Sequence, residues 1–253
     1  MRMPVCFIGH GSPMNAIENN IFTKQWKNLI ENIHPKAILM ISAHWVSDKF
    51  EITTNLYPKM IYDMFGFPDQ LYTVDYPAHT DKTIIERCLS ILPTLKENNI
   101  RGYDHGAWSI LIHMFPNADI PVIQLSLNRN ASPQEHYELG KSFQILRDEG
   151  VLIVGSGNIV HNLRVLDWEN ENNEYDWAKN FRQRVNECLI HHEDEQLIEY
   201  SQWGNDAILS VNSSEHYLPL IVCLGASNHD SVLITNDKII SGSLSMTCVV
   251  WNK

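Results

Sequence analysis

The chain has 253 residues, of which 44% are hydrophobic and 19% charged, a composition typical of a globular protein with a full core. This length is enough for one large α/β domain or two small ones. The formal net charge of −11 argues against a nucleic-acid surface and a polybasic membrane anchor, since both need clustered basic residues.

Cysteine usage indicates the compartment. The five cysteines are odd in number and scattered, and they include no Cys-x-x-Cys pair. This pattern argues against a disulfide framework or a zinc ribbon and favours a reducing environment. The chain shows no N-terminal leader with a small-residue cleavage site, and no apolar stretch of the ~20 residues that span a bilayer. We therefore expect a cytoplasmic protein.

Hydrophobic periodicity predicts strands alternating with helices. In chain order, the predicted elements are a strand at 4–8, a helix at 21–33, a strand at 37–42, an exposed strand at 50–54, a helix at 80–95, a helix at 107–115, a strand at 120–127, a helix at 132–148, a strand at 151–154, a helix at 177–191, a helix from 212 to about 225 and a strand at 245–251. This alternation predicts one α/β domain over residues 1–253. We expect a mixed, largely parallel central sheet flanked by helices.

One segment, 57–76, has no periodicity and is rich in tyrosine, phenylalanine and proline. Two interpretations are open. It is either an ordered loop over a functional site or a loop that packs its aromatic side chains into the core.

The twelve histidines differ in their context. Seven lie in polar stretches or within predicted helices, where surface or satisfied histidines are the usual case: His34, His79, His113, His136, His191, His192 and His229. The other five each lie beside a glycine, a strand end or a helix start: His10, His44, His105, His161 and His216. Because parallel strands end at one edge of a sheet, these five are candidates for one site at the carboxyl ends of the strands.

Imidazole groups in this number suit a divalent metal ion. Two histidines with a carboxylate such as Glu215 would leave positions open for a substrate and dioxygen. Three histidines with one open position would instead suit zinc and an activated water. The spacing alone does not choose between the two.

Nucleotide and serine-hydrolase motifs are incomplete. Gly155-Ser156-Gly157 follows a predicted strand, but Val160 stands where a dinucleotide motif needs its third glycine. No phosphate-binding G-x-x-x-x-G-K-[ST] motif occurs, and Ser12 is not within G-x-S-x-G.

Six blocks, in order, resemble the class III extradiol ring-cleavage dioxygenases, in particular the DOPA 4,5-dioxygenase branch. They are GHGSPM at 9–14, SAHW at 42–45, YDMFGFP at 62–68, DHGAW at 104–108, GSGNIVHNLR at 155–164 and EHYLPL at 215–220. The resemblance continues to GSLSM at 242–246 and so covers nearly the whole chain. It implies a single catalytic domain that opens a catechol ring with dioxygen.

The resemblance also implies roles for individual residues. His10, His44 and His216 correspond to metal ligands, with the adjacent Glu215 as a competing ligand. His161 corresponds to a fourth metal-site histidine in this branch and to a general base in protocatechuate-cleaving relatives. His105 corresponds to a further active-site histidine.

The implied chemistry uses ferrous iron, and zinc is a possible bound species. A catechol would lose a proton to His161, and His105 or His161 would act later as an acid. Some relatives carry a histidine where this chain has Tyr62, which puts an additional base there in doubt. The alternatives are a zinc-dependent hydrolase or lyase with the same histidines, and a binding module without catalysis. The choice of catechol and the oligomeric state are left open by the sequence.

Overall fold

The computed structural model describes residues 2–252, and short apolar runs form most of its strands. The strands are β1 (Val5–Gly9), β2 (Ala37–Ser47), β3 (Glu51–Thr53), β4 (Lys96–Asn98), β5 (Val122–Asn128), β6 (Val151–Gly157), β7 (Ser231–Thr235), β8 (Ile239–Ile240), β9 (Leu244–Ser245) and β10 (Cys248–Asn252). Eight of them form one sheet in the order β4-β3-β5-β2-β6-β1-β10-β7, and β8 pairs with β9. Strands β5, β2, β6 and β1 are mutually parallel. Strand β10 pairs antiparallel with β1, and β7 pairs antiparallel with β10.

Helices cover both faces of this sheet. They are α1 (Ile21–Leu29), α2 (Lys82–Ile91), α3 (His105–Met114), α4 (Pro133–Ser142), α5 (Gln144–Asp148), α6 (Asp176–His191), α7 (Asp194–Ile198), α8 (Asn205–Ser210) and α9 (Leu218–Ser227). Alternate residues of β1 separate the two cores: Val5 and Phe7 pack in one cluster, and Cys6 and Ile8 in the other. The predicted α/β class with a mixed, largely parallel sheet is confirmed.

The parallel centre brings distant segments to one edge. Gly9, at the end of β1, lies beside Gly157, at the end of β6, and β2 runs along the other side of β6. Gly157 has no room for a side chain, because a Cβ there would overlap the carbonyl oxygen of His216. The turn before α9 therefore packs directly on the carboxyl end of the sheet.

Three element predictions need correction, and two strands of the large sheet were missed. The strand at 50–54 was expected to be exposed, but β3 pairs with both β4 and β5, and its Ile52 is fully buried. The helix predicted at 132–148 breaks at Phe143 into α4 and α5. The helix predicted from 212 is a short 3₁₀ turn, Ser214–His216, followed by α9, which has a proline in its first turn. The polar strand β4 and the edge strand β7 were not predicted.

Among residues 2–252, no helix has the length and apolar character needed to cross a membrane.

Candidate metal centre

Three histidines from separate elements converge at the carboxyl edge of the sheet. His10 follows β1, His44 lies near the end of β2, and His105 is the first residue of α3. The Nε2 atoms of His10 and His44 are 3.3 Å apart, and the ring centroids of His44 and His105 are 3.8 Å apart. One nitrogen from each of the three rings lies within 4.8 Å of the other two, so together they could hold a metal ion.

Two further histidines border this group. The His216 ring centroid is 5.4 Å from that of His10 and 5.0 Å from that of His44. His161 stacks on His216, with centroids 3.5 Å apart and planes at 5°. The Nε2 atom of His216 is buried and has no hydrogen-bond partner among the described residues. A buried nitrogen of this kind is costly unless something binds it, so a metal ion at this position fits the structure.

Hydrogen bonds on the opposite ring nitrogen fix which atom of His10 faces the group. Ser156 Oγ donates its only hydrogen to the carbonyl oxygen of Gly106, at 2.6 Å. It must therefore accept from His10 Nδ1–H, which is 2.9 Å away. This tautomer leaves the Nε2 lone pair of His10 free for a metal ion, and the arrangement is common for metal-binding histidines.

Asp63 orients the ring of His105 through Nδ1, as Ser156 orients that of His10. Its carboxylate accepts hydrogen bonds from the backbone N–H of His105 at 2.9 Å and from Nδ1 at 3.0 Å. Its other oxygen lies 3.5 Å from His44 Nδ1. Although burial opposes ionisation, the hydrogen bonds from His105 lower the pKa of Asp63 to about 2, so this group is a carboxylate at neutral pH. The loop residue Asp63 was not predicted as part of the site, although it lies within the YDMFGFP block.

The fully buried carboxylate of Asp104 connects the segments that carry His44 and His105. Asp104 caps the N-terminus of α3 and accepts hydrogen bonds from Ser42 Oγ at 2.5 Å and Gln124 Nε2 at 2.6 Å. Arg101 pairs with Asp104 at 3.2 Å and also donates to the backbone carbonyl of His44 at 2.8 Å. The ion pair thus joins the main chain of His44 to the start of the helix that carries His105.

Burial keeps four of these histidines, His10, His44, His161 and His216, neutral. It lowers the pKa of His10 and His216 well below the usual value, and the neighbouring histidines lower it further. Burial also lowers the pKa of His44 and of His161 to about 4. Neutral imidazole is the form that binds metals, so at pH 7 these four side chains are ready to act as ligands.

The structure brings all five predicted histidines together, with one difference in grouping. His105, predicted to be catalytic, is as close to His10 and His44 as a ligand would be, whereas His161 reaches the group through His216. Glu215 lies beside His216, with Oε1 at 3.4 Å from Nδ1, and its side chain is about one third exposed, at 32%. The assignment of ligand and catalytic roles stays a prediction.

The aromatic segment serves both purposes that the sequence left open. Tyr76 and Leu71 are buried in the core, while Phe65 is 92% exposed. Tyr62 donates a hydrogen bond to the carbonyl of Val74 at 2.7 Å, and its ring lies 5.9 Å from that of Trp108. The segment is thus anchored in the core and also carries Asp63 to the histidines.

Comparisons with known proteins agree with this arrangement. Residues 5–249 match the family described as the catalytic LigB subunit of aromatic ring-opening dioxygenase. The chain is 39% identical to a 4,5-DOPA dioxygenase extradiol of Escherichia coli, over 98% of this chain and 94% of that protein. It is 35% identical to a protein of the same name from Beta vulgaris, over 89% of this chain and 87% of that protein. A crystal structure of an uncharacterized Escherichia coli protein superposes with a TM-score of 0.87 at 35% identity, covering 99% of this chain and all of that one.

The chain therefore belongs to the LigB family of aromatic ring-opening dioxygenases. It is an extradiol ring-cleavage dioxygenase, an enzyme that depends on a metal ion and acts on an aromatic substrate with dioxygen.

Proposed function

We propose that this enzyme opens the ring of a DOPA-like catechol and uses ferrous iron to do so. The observation that carries the proposal is the cluster of buried histidines in which His10 and His105 are held by hydrogen bonds on Nδ1. The relatives named as DOPA dioxygenases, at 39% and 35% identity, support the choice of substrate. Bound iron would supply a redox-active Lewis acid at which a catechol and dioxygen can meet.

We assign His10, His44 and His216 as the metal ligands. The unpartnered, buried Nε2 of His216 supports the third assignment. Glu215 is the competing third ligand, but one third of its side chain is exposed and its carboxylate already accepts from Ser213 Oγ at 2.7 Å.

Two histidines remain for proton transfer. His161, stacked on His216, is neutral at pH 7 and can accept a proton from the catechol hydroxyl. His105, with its Nδ1–H held by Asp63, can accept a proton from a substrate hydroxyl at Nε2 and return that proton later. Positioned acid–base help of this kind contributes roughly 10²–10⁴-fold to rate. If His161 is instead a fourth metal ligand, the base must be sought at His105.

We also propose a single catalytic domain and a cytoplasmic location. The single eight-stranded sheet supports one catalytic domain over residues 1–253. All five cysteines are free and buried, which favours work in a reducing compartment such as the cytoplasm.

The test is a metal exchange. The purified protein is stripped of metal, reloaded without oxygen with either ferrous iron or zinc, and then mixed with L-DOPA and air. We expect one oxygen consumed per yellow ring-opened product, in the iron sample alone, because zinc has no redox chemistry. Absence of oxygen uptake with several catechols, together with tight zinc binding, would refute the proposal and favour a zinc-dependent hydrolase or lyase.

A further inference from the structure

A small cavity of about 190 Å³ lies beside the metal centre. Its walls come from the segments that carry two of the proposed ligands: Val46 lies two residues after His44, while Glu215 and Leu218 flank His216. The end of β5 closes the other side through Leu127 and Arg129. The space exceeds the roughly 10–15 Å³ that one water needs, so it can hold a small polar group with a few heavy atoms.

Arg129 places a positive charge at this cavity. Its Nε lies 3.1 Å from Asp48 Oδ1 in an exposed ion pair, and one terminal nitrogen donates to the carbonyl oxygen of Val46 at 3.4 Å. These two contacts use part of a guanidinium group that has five N–H donors in a planar fork. The remaining donors have no partner among the described residues, and a carboxylate is the group that such a fork binds best. On a chain with a net charge of −11, a substrate anion needs a local positive charge of this kind.

Glu215 places a negative charge on another wall. One oxygen, Oε1, accepts from Ser213 Oγ at 2.7 Å and lies 3.4 Å from His216 Nδ1. The other oxygen has no partner among the described residues. Val46, Leu127 and Leu218 supply apolar surface to the same cavity. The cavity therefore combines an acceptor for a cation, a donor for an anion and an apolar floor.

We propose that this cavity binds the zwitterionic tail of the catechol, with Arg129 holding the carboxylate and Glu215 the ammonium group. The proposal rests on the proposed function, since it adds the recognition of the tail to a ring bound at the same centre. It makes Arg129 and Glu215 specificity-determining residues. It also explains why a charged arginine stands at the end of β5 beside segments that carry the histidines.

Four catechols distinguish the contribution of the carboxylate from that of the ammonium group. L-DOPA carries both, 3-(3,4-dihydroxyphenyl)propionate only the carboxylate, dopamine only the ammonium, and 4-methylcatechol neither. We expect Arg129→Gln to raise KM about three- to tenfold for the first two compounds and to leave the last two unchanged. This is the range for a charge-assisted hydrogen bond from a side chain that is 60% exposed. Arg184→Gln is the matched control, because it removes the same charge from an exposed arginine stacked on Trp203.

Glu215→Gln tests whether Glu215 binds the ammonium group. It should raise KM for L-DOPA and dopamine relative to the propionate. Because Glu215 contacts His216, the metal content of this variant is measured in parallel, and the comparison is made between substrates on the same preparation. A rise in KM that is equal for all four compounds, or no rise in either variant, would overturn the proposal.

A binding measurement separates this proposal from the proposed function. The Kd of each catechol is measured by calorimetry on the zinc-loaded protein without oxygen. Selective loss of carboxylate binding in Arg129→Gln supports the tail site even if the iron enzyme consumes no oxygen, an outcome that would refute only the dioxygenase proposal. Equal Kd values for Arg129→Gln and Arg184→Gln with every compound would refute the tail site even if ring cleavage proceeds.

Discussion

Asp63→Asn tests whether one loop carboxylate orients the histidines. Asp63 accepts from the backbone N–H and Nδ1 of His105, at 2.9 and 3.0 Å, and lies 3.5 Å from Nδ1 of His44. Asparagine keeps the shape, but it removes the negative charge and turns one acceptor into a donor. A net loss of about 1 kcal/mol for each of the two shorter hydrogen bonds amounts to about 2 kcal/mol. This corresponds to a metal Kd about 30-fold higher, within the ~10–100-fold range for partners of metal-binding histidines.

The assay is competition for zinc against a chromogenic chelator at pH 7.5, with thermal unfolding followed on the same samples. Asp75→Asn is the matched control, because Asp75 is exposed, lies in the same loop and loses the same charge. A metal Kd for Asp63→Asn within about threefold of the control, against the ~10–100-fold expected, would refute the orienting role of Asp63.

Two substitutions and a pH titration test the histidine cluster and the packing around it. His161→Ala should keep its metal and lose most turnover, roughly 10²–10⁴-fold; loss of metal by dialysis against a chelator would instead make His161 a ligand. Gly157→Ala should raise the metal Kd and lower the melting temperature, because its Cβ would displace the carbonyl of His216; wild-type values for both would contradict the close packing of Gly157 against His216. The metal-free protein should lose stability as the pH falls from 6.5 towards 4. In that window the unfolded chain binds protons at His44 and His161, whose folded pKa values are about 4, whereas the folded state does not. Each histidine contributes a slope of up to about 1.4 kcal/mol per pH unit in urea unfolding, and a flat profile would contradict their burial as neutral groups.

The sequence predicted the parallel centre of the sheet well, because its strands are continuous apolar runs buried on both faces. β1, β2 and β6 each begin with this signal. β4 has the sequence Lys-Glu-Asn and is a strand only because β3 pairs with it, a tertiary contact with no local signal. β3 was expected to be exposed because three residues cannot show which neighbours flank them.

The histidines could be predicted for the same reason as the strands. His10 and His161 follow apolar runs, and His44 lies near the end of one, so topology alone gathers them. The groups that orient them could not be found in this way. Asp63 comes from an irregular loop, and its partner His105 is 42 residues away. Ser156 was noted only as the middle of an incomplete nucleotide motif, yet its hydroxyl sets the tautomer of His10.

His10 and His44 lie at the sheet and the residues near the proposed tail site lie on loops and strand ends, so the two groups differ in how easily they can be replaced. The nitrogen atoms of His10 and His44 are placed by a parallel sheet, where a shift in register would move every buried side chain to the wrong face. The groups near the proposed tail site and the aromatic segment lie on loops and strand ends, where replacement costs little stability. Arg129 is 60% exposed and Phe65 is 92% exposed, so neither is held by the core. Substitution at such positions can therefore alter which aromatic substrate binds while the histidine cluster stays in place.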